Sequence, residues 1–308
     1  MKKILITGGL GFIGGHLIDQ LIQDSYEIFA LDNSSLLKSN KQINQYSKIS
    51  TFNFINSDIT DFTSLDQIFK DSPPDIIVHL AAKISVDESL IKPEEYFKIN
   101  VEGTLNLLKL ALKYNVKKII FASSAAVYGT KDKVPLKEDE SLLTPLSTYA
   151  VTKIAGEGLC HVYSSISNLQ CICLRFFNIY GPEQSGSALV PKFIKLISNN
   201  QPITIFGDGT HTRDFIYISD VIQGITKAIK YNKKHYEIFN IAGSTKTTIL
   251  DLVKIIEDTL HKKAIINFEP NKKGDIPLSF ANIDNAKKEL GFNPVVALKE
   301  GIKIMIEY

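Results

Sequence analysis

Long apolar runs are missing from this chain of 308 residues, and so are long runs of one charge. No stretch approaches the length needed to cross a bilayer, which speaks against a membrane protein. The net charge of +2 comes from dispersed lysines, so neither nucleic acid nor a membrane surface is an expected partner. Met1-Lys2-Lys3 before a short apolar run imitates a signal peptide, but glycines interrupt it and no small-residue cleavage site follows. A cytoplasmic protein is expected. Cysteine is scarce: Cys160, Cys171 and Cys173 are all there are, the last two on one face of an apolar strand pattern. Buried free thiols are expected there, because a metal site needs more ligands at matched spacing.

Arginine is the scarcest charged residue. Of 35 basic residues only Arg175 and Arg213 are arginines. A chain that uses lysine almost everywhere should keep arginine where its planar fork is needed, for phosphate, carboxylate or a buried pair. Repeats, linkers and low-complexity stretches are absent as well.

What the chain does contain is core: 44% of its residues are hydrophobic, enough for one large domain or two smaller ones. Apolar runs at Ile4-Ile6, Ile28-Leu31, Phe52-Ile55, Ile76-Leu80, Ile119-Ala122 and Cys171-Leu174 alternate with helix-period segments at His16-Ile22, Leu65-Phe69, Glu94-Leu112 and Thr148-Tyr163. Continuous apolar strands separated by helices predict an α/β fold, a doubly wound parallel (Rossmann) sheet. Ligands then lie beyond the carboxyl ends of the strands, so the residues just after each strand carry the chemistry.

After the first run comes Thr7-Gly8-Gly9-Leu10-Gly11-Phe12-Ile13-Gly14. Gly8 allows a tight turn, Gly11 lets backbone amides approach a pyrophosphate at a helix N-terminus, and Gly14 allows close helix-sheet packing. Asp32-Asn33 follows the second strand, where a carboxylate can accept from ribose hydroxyls and repel a 2′-phosphate, so NAD is expected over NADP. Asp58-Ile59 closes the third strand as a candidate for the adenine edge. The fourth ends in His79-Leu80-Ala81-Ala82, whose small residues permit close approach of a cofactor; His79 is read as structural.

The fifth strand ends in Ser123-Ser124-Ala125-Ala126, and Tyr149 with Lys153 then shares one helical face at i, i+4. A nearby ammonium is expected to lower the Tyr pKa from about 10 towards neutrality, as a general base requires. With 12 tyrosines and abundant lysine, chance alone supplies about one such match. Tyr114/Lys118 is a second, excluded because Lys118 enters the fifth strand.

Jointly these motifs resemble an extended short-chain dehydrogenase/reductase of the NAD-dependent nucleotide-sugar epimerase/dehydratase family, typified by UDP-glucose 4-epimerase, over nearly the whole chain. The resemblance implies that Gly8, Gly11, Phe12, Ile13, Gly14, Asp32, Asn33, Asp58, Ile59, Leu80, Ala81, Ala82, Tyr149 and Lys153 hold NAD. It implies catalysis by Ser124, Tyr149 and Lys153, and a UDP-sugar held by Ser124, Asn178, Val190, Phe206, Arg213, Lys272, Asp275 and Ser279. Residues 1–174, with a return at about 214–230, would form the NAD-binding domain. Residues 175–308 would form mainly the smaller C-terminal substrate domain, and the chain would be a homodimer through its two long apolar helices.

In the family's common opening step the tyrosine takes the 4-hydroxyl proton while carbon 4 is oxidised to a ketone. Dehydratases resembling this chain carry Asp-Glu after the strand-five hydroxyl; here Ala125-Ala126 stand, and methyl groups move no protons. That leaves 4-epimerisation. Uronate-handling relatives commonly place arginine after the Tyr-Gly-Pro turn, where this chain has Glu183-Gln184-Ser185-Gly186. Ser279 matches a site where hexose-only epimerases carry Tyr, so room for an N-acetyl group is expected: UDP-GlcNAc/UDP-GalNAc alongside UDP-Glc/UDP-Gal. Lys272 departs from the family's diphosphate-binding arginine, which leaves dTDP open as the carrier. The competing readings are a reductase, decarboxylase or uronate epimerase of the same family, or a non-catalytic sensor of NAD or a nucleotide sugar.

Overall fold

The computed structural model describes residues 1–24, 26–33, 43–131, 133–141, 144–271 and 276–308. By chain contacts it separates into two units. The first is Met1–Val127, Ser147–Arg175 and Ile225–Phe239; the second is Tyr128–Leu146, Phe176–Gly224 and Asn240–Tyr308. The segment clustering back with the first unit is thus residues 225–239, against the expected 214–230, and residues 128–146 group with the second.

In the first unit the elements alternate as the apolar pattern requires. They run β1 (Lys2–Thr7), α1 (Phe12–Ile22), β2 (Tyr26–Asp32), β3 (Phe52–Asn56), α2 (Phe62–Asp71), β4 (Ile76–His79), α3 (Val86–Ile91) and α4 (Pro93–Phe97). A π-helical turn, Lys98–Glu102, leads into α5 (Gly103–Lys113), followed by β5 (Lys118–Ser124), α6 (Thr148–Ile166) and β6 (Gln170–Phe176). The segment expected as one helix, Glu94-Leu112, is interrupted by that turn, which points Asn100 inward, 2% exposed.

Strands β1, β2 and β3 pair in parallel, as do β1 with β4 and β4 with β5. With β10 (Tyr236–Ile241) the sheet order is β10-β6-β5-β4-β1-β2-β3. The winding reverses between β1 and β4, so the residues after those two strands border the crevice where such sheets take ligands. One core layer packs Leu5, Leu31, Ile77, Phe121, Leu107 and Leu110. At about 1.5–3 kcal/mol for each large side chain, this layer contributes a large part of the folding free energy. Cys160, Cys171 and Cys173 lie in it as free, fully buried thiols.

The second unit is built from β7 (Asn178–Tyr180), α7 (Leu189–Ser198), β8 (Ile203–Phe206), β9 (Thr212–Tyr217), β11 (Lys246–Thr248), α9 (Ile249–Leu260), β12 (Ile266–Glu269) and α10 (Leu298–Glu307). Helix α8 (Ile218–Lys230) and strand β10 straddle the divisions between units. Strands β11, β9 and β7 form a small sheet, and β12 pairs in parallel with β8. A π-helical turn, Ala286–Leu290, forms the core of the helix expected at Ile283-Leu290.

Candidate active site

Glycine shapes the end of β1. Gly8 has φ +69°, and a Cβ there would lie 2.8 Å from the Ala81 amide. At Gly14 a Cβ would come within 2.4 Å of the Gly8 oxygen and 2.6 Å of the Gly9 oxygen. Gly14 is therefore required by the turn itself, a closer constraint than the helix-sheet packing expected of it. Gly11 caps α1 with no side-chain hydrogen bond, so the first-turn amides following Phe12 and Ile13 keep their donors for an anion.

Asp32 and Asn33 stand beside this turn. One Asp32 carboxylate oxygen accepts the Leu10 amide at 3.0 Å, and Asn33 donates to Asp58 at 2.7 Å. Burial pulls the Asp58 carboxyl up, but hydrogen bonds from Thr60 and Asn33 and the nearby Lys98 hold it below its usual range. Ile59 is buried and touches Gly103, while Leu80, Ala81 and Ala82 are half-buried at the end of β4. A glycine cradle that a methyl group would fill, uncapped helix amides and a carboxylate at the second strand end fit a dinucleotide with a free ribose 2′-hydroxyl.

His79 is sealed in. Its Nδ1 lies 2.7 Å from the Thr7 hydroxyl and its Nε2 2.9 Å from that of Thr104, which donates to the Asn100 carbonyl at 2.6 Å. Nε2 therefore carries the proton and Nδ1 accepts. Burial, helped by the Lys153 charge, pushes the imidazole down to about 3, so it stays neutral. Asn100 continues the chain, donating to Thr152 at 3.0 Å, and Thr152 donates to the Tyr149 carbonyl at 2.7 Å. This relay was not legible in the sequence, where Asn100 and Thr104 look like ordinary helical polar residues.

Ser147 caps α6 by accepting the Ala150 amide, so the helix starts at Thr148, one residue before Tyr149. Tyr149 is 8% and Lys153 4% exposed. The Ser124 hydroxyl accepts the Ala126 amide at 3.2 Å. Lys153 donates to the Ala122 carbonyl at 2.7 Å, its Nζ 5.0 Å from the Phe121 ring centre and 5.9 Å from that of Tyr149.

Here one expectation is corrected. Burial holds the Tyr149 phenol above 10, opposed by Ser124, and no lowering by Lys153 accompanies it. The ammonium is engaged at Ala122, and burial brings its own pKa down to about 8, against the opposing pull of Cys160 and Glu157.

In the second unit, Arg213 on β9 donates to the carbonyls of Thr212 and Ile276 at 2.9 and 2.7 Å. The Thr212 amide bonds the Pro277 carbonyl, and Asp214 accepts the Ala281 amide at 3.1 Å, so β9 fastens the segment bearing Ser279. Ser279 is buried, 7% exposed. Asn178 opens β7 half-buried and Phe206 ends β8 half-buried, whereas Val190 sits in the apolar face of α7. Glu183 takes φ +64° and accepts from the Tyr308 hydroxyl at 3.0 Å. Lys272 and Asp275 lie outside the described residues. Arg175 proves to be an arginine of the buried-pair kind, on Glu157 at 2.8 Å. Glu157, four residues past Lys153 on the same helical face, was missed, although its spacing could have flagged it.

Residues 4–242 match the family described as "NAD dependent epimerase/dehydratase family". The chain is similar to UDP-glucose 4-epimerase of Thermotoga maritima, solved with UDP-glucose, with TM-score 0.92 and 34% identity, covering 99% of this chain and 98% of that one. It is similar to UDP-glucuronic acid 4-epimerase of Bacillus cereus, solved with UDP-glucuronic acid and NAD, with TM-score 0.92 and 36% identity over 99% and 98% of the two chains. It also resembles UDP-N-acetylglucosamine 4-epimerase of Methanobrevibacter ruminantium, in complex with UDP-N-acetylmuramic acid, with TM-score 0.91 and 33% identity over 99% and 97%.

Proposed function

The chain belongs to the NAD-dependent epimerase/dehydratase family, and on that premise we propose that it inverts carbon 4 of a UDP-hexose, N-acetylhexosamines included. The reading is carried by one grouping: a phenol, a serine hydroxyl and an ammonium gathered at one end of the sheet, followed along the chain by Ala125 and Ala126. Bound NAD would supply the hydride acceptor and donor for carbon 4. The glycine turn, the first amides of α1 and Asp32 would hold it, together with Asn33, Asp58, Ile59 and Leu80 to Ala82.

Tyr149 accepts the proton of the 4-hydroxyl and later restores it, and Ser124 holds the 4-oxygen and relays that proton. Lys153 would help hold the cofactor and supplies positive charge near the phenol. A 4-keto sugar is the transient species. Without an acid-base pair after Ser124 the ketone cannot lose water and is reduced from the opposite face. In the second unit Asn178, Val190, Phe206, Arg213, Lys272 and Asp275 are assigned to the nucleotide and diphosphate. A small, buried Ser279 supports room for an acetamido group, and the charge of Glu183 disfavours a uronate. Among the described residues no helix is long and apolar enough to cross a membrane.

NMR of UDP-glucose, UDP-N-acetylglucosamine and UDP-glucuronate, each incubated with the enzyme and no added reductant, tests the reading. The 4-epimers of the first two should form with no net change at 340 nm. Exclusive turnover of the glucuronate would overturn the substrate assignment, and net NADH release would overturn epimerisation. Ser279→Tyr should suppress turnover of the acetylated sugar and spare glucose.

A further inference from the structure

Of the buried polar groups to which the reaction above gives no role, the largest is the pair Glu157 and Arg175, 3% and 2% exposed. Arg175 Nε donates to Glu157 Oε1 at 2.9 Å and Nη2 to Oε2 at 2.8 Å. A buried ion pair is often no more stabilising than apolar residues of the same volume, so its role is to be sought in what it touches. It touches the end of β5: the Ser123 hydroxyl donates to Glu157 Oε1 at 2.5 Å.

Three consecutive β5 residues are fixed by α6. A Cβ on Gly156 would lie 2.3 Å from the Phe121 ring, so the helix lies as close to the strand as a glycine permits. Next along the strand, the Ala122 carbonyl receives Lys153, and Ser123 is held by Glu157. The fourth residue is Ser124.

We propose that Glu157, braced by Arg175, is a positioning residue: it clamps Ser123 and thereby sets the Ser124 hydroxyl and the Ala122 carbonyl against Tyr149 and Lys153. This rests on the catalytic reading of Ser124, Tyr149 and Lys153. The same carboxylate, one helical turn beyond Lys153, favours the ammonium form. The other titratable or charged groups facing Lys153 are Tyr149 and Cys160 on α6 and His79 at the end of β4, with Arg175 on β6 reaching it through Glu157.

The test compares Ser123→Ala, which leaves the ion pair intact, with Glu157→Gln and with the double variant Glu157→Gln/Arg175→Met. The double variant guards against misfolding from an unpaired buried arginine. Each is measured for kcat, KM, the pH dependence of kcat and Tm on the UDP-hexose turned over fastest, beside Tyr149→Phe. A misplaced serine should lower kcat about 10- to 100-fold in all three with KM unchanged. In Glu157→Gln the alkaline limb of kcat should also move down by about one pH unit, a shift that Ser123→Ala does not show. Parental kcat in Ser123→Ala, or a double variant with parental kcat and Tm, would overturn the clamp. Full activity of Tyr149→Phe would instead overturn the catalytic reading beneath it.

Discussion

Two glycines of this chain ask opposite things of a methyl group. At Gly14 a Cβ would meet the carbonyl oxygens of Gly8 and Gly9, backbone atoms that cannot swing aside. At Gly186 it would meet nothing within 4 Å. Gly14→Ala should therefore cost about 1–3 kcal/mol by overpacking and weaken NAD binding with it. Gly186→Ala should be neutral or stabilise by about 0.4–1 kcal/mol through the unfolded chain. Thermal melts and an NAD titration of both variants check this. A Gly14→Ala protein that binds NAD like its parent would show that the turn is not the cofactor cradle. The three glycines were legible as a motif, yet the partner atoms that make Gly14 indispensable were not, because they come from the turn folding back on itself. Likewise Y-x-x-x-K placed Tyr149 and Lys153 on one face, but could not say that Lys153 would turn to Ala122. Its direction is set by how closely Gly156 lets the helix approach Phe121, a tertiary contact with no local signature.

Helix α6 has more apolar surface than its own sheet covers. Val151, Val162 and Ile166 are 37%, 50% and 67% exposed, and with Ala155 and Gly158 they follow helical spacing along one stripe. Neighbouring Phe97 and Leu112 are each 44% exposed. We propose that a second copy of the chain covers this stripe, Gly158 leaving open space for the approaching helix. Sedimentation at micromolar concentration should give a dimer, and Val162→Lys/Ile166→Lys should give a folded monomer with an unchanged far-UV spectrum. A dimer that persists in the double variant would place the interface elsewhere. Strands buried on both faces announced themselves as unbroken apolar runs, which is why β1 to β6 fell where expected. The π-helical turn at Lys98–Glu102 did not. It depends on Asn100 finding Lys83 and Thr152, 17 and 52 residues away.

Across the whole molecule, burial has moved several charges far enough to give the folded state a distinctive response to pH. The Lys118 ammonium donates to the carbonyls of Ile229 and Tyr231 at the C-terminal end of α8, where a cation is favoured, yet burial brings it down to about 8, as it does Lys153. Both lysines titrate near 10.4 in the unfolded chain, so between pH 8 and that value the unfolded state binds more protons and stability rises with pH, by up to about 1.4 kcal/mol per unit for each group. Asp214, lifted by burial to about 7 despite four backbone amides, acts in the opposite sense: stability falls as pH rises from its unfolded value towards 7. His79 favours the native state as pH rises over the overlapping range from 3, so the acid side should be shallow. The buried tyrosines close the window, since the raised values of Tyr149, Tyr180 and Tyr236 make stability fall above about 10. The neighbouring thiols hold Cys160 up and burial holds Cys173 up, so above about 8.5 both make stability fall and oppose the lysines. The Lys118 contribution is therefore read as the difference in urea midpoint between the parent and Lys118→Met, which should grow in the parent's favour between about pH 8 and pH 9.5. The acid side should be the same in the two proteins. A difference that stays level across that interval would mean that Lys118 keeps an ordinary pKa in the folded chain, and that the carbonyls around it outweigh desolvation.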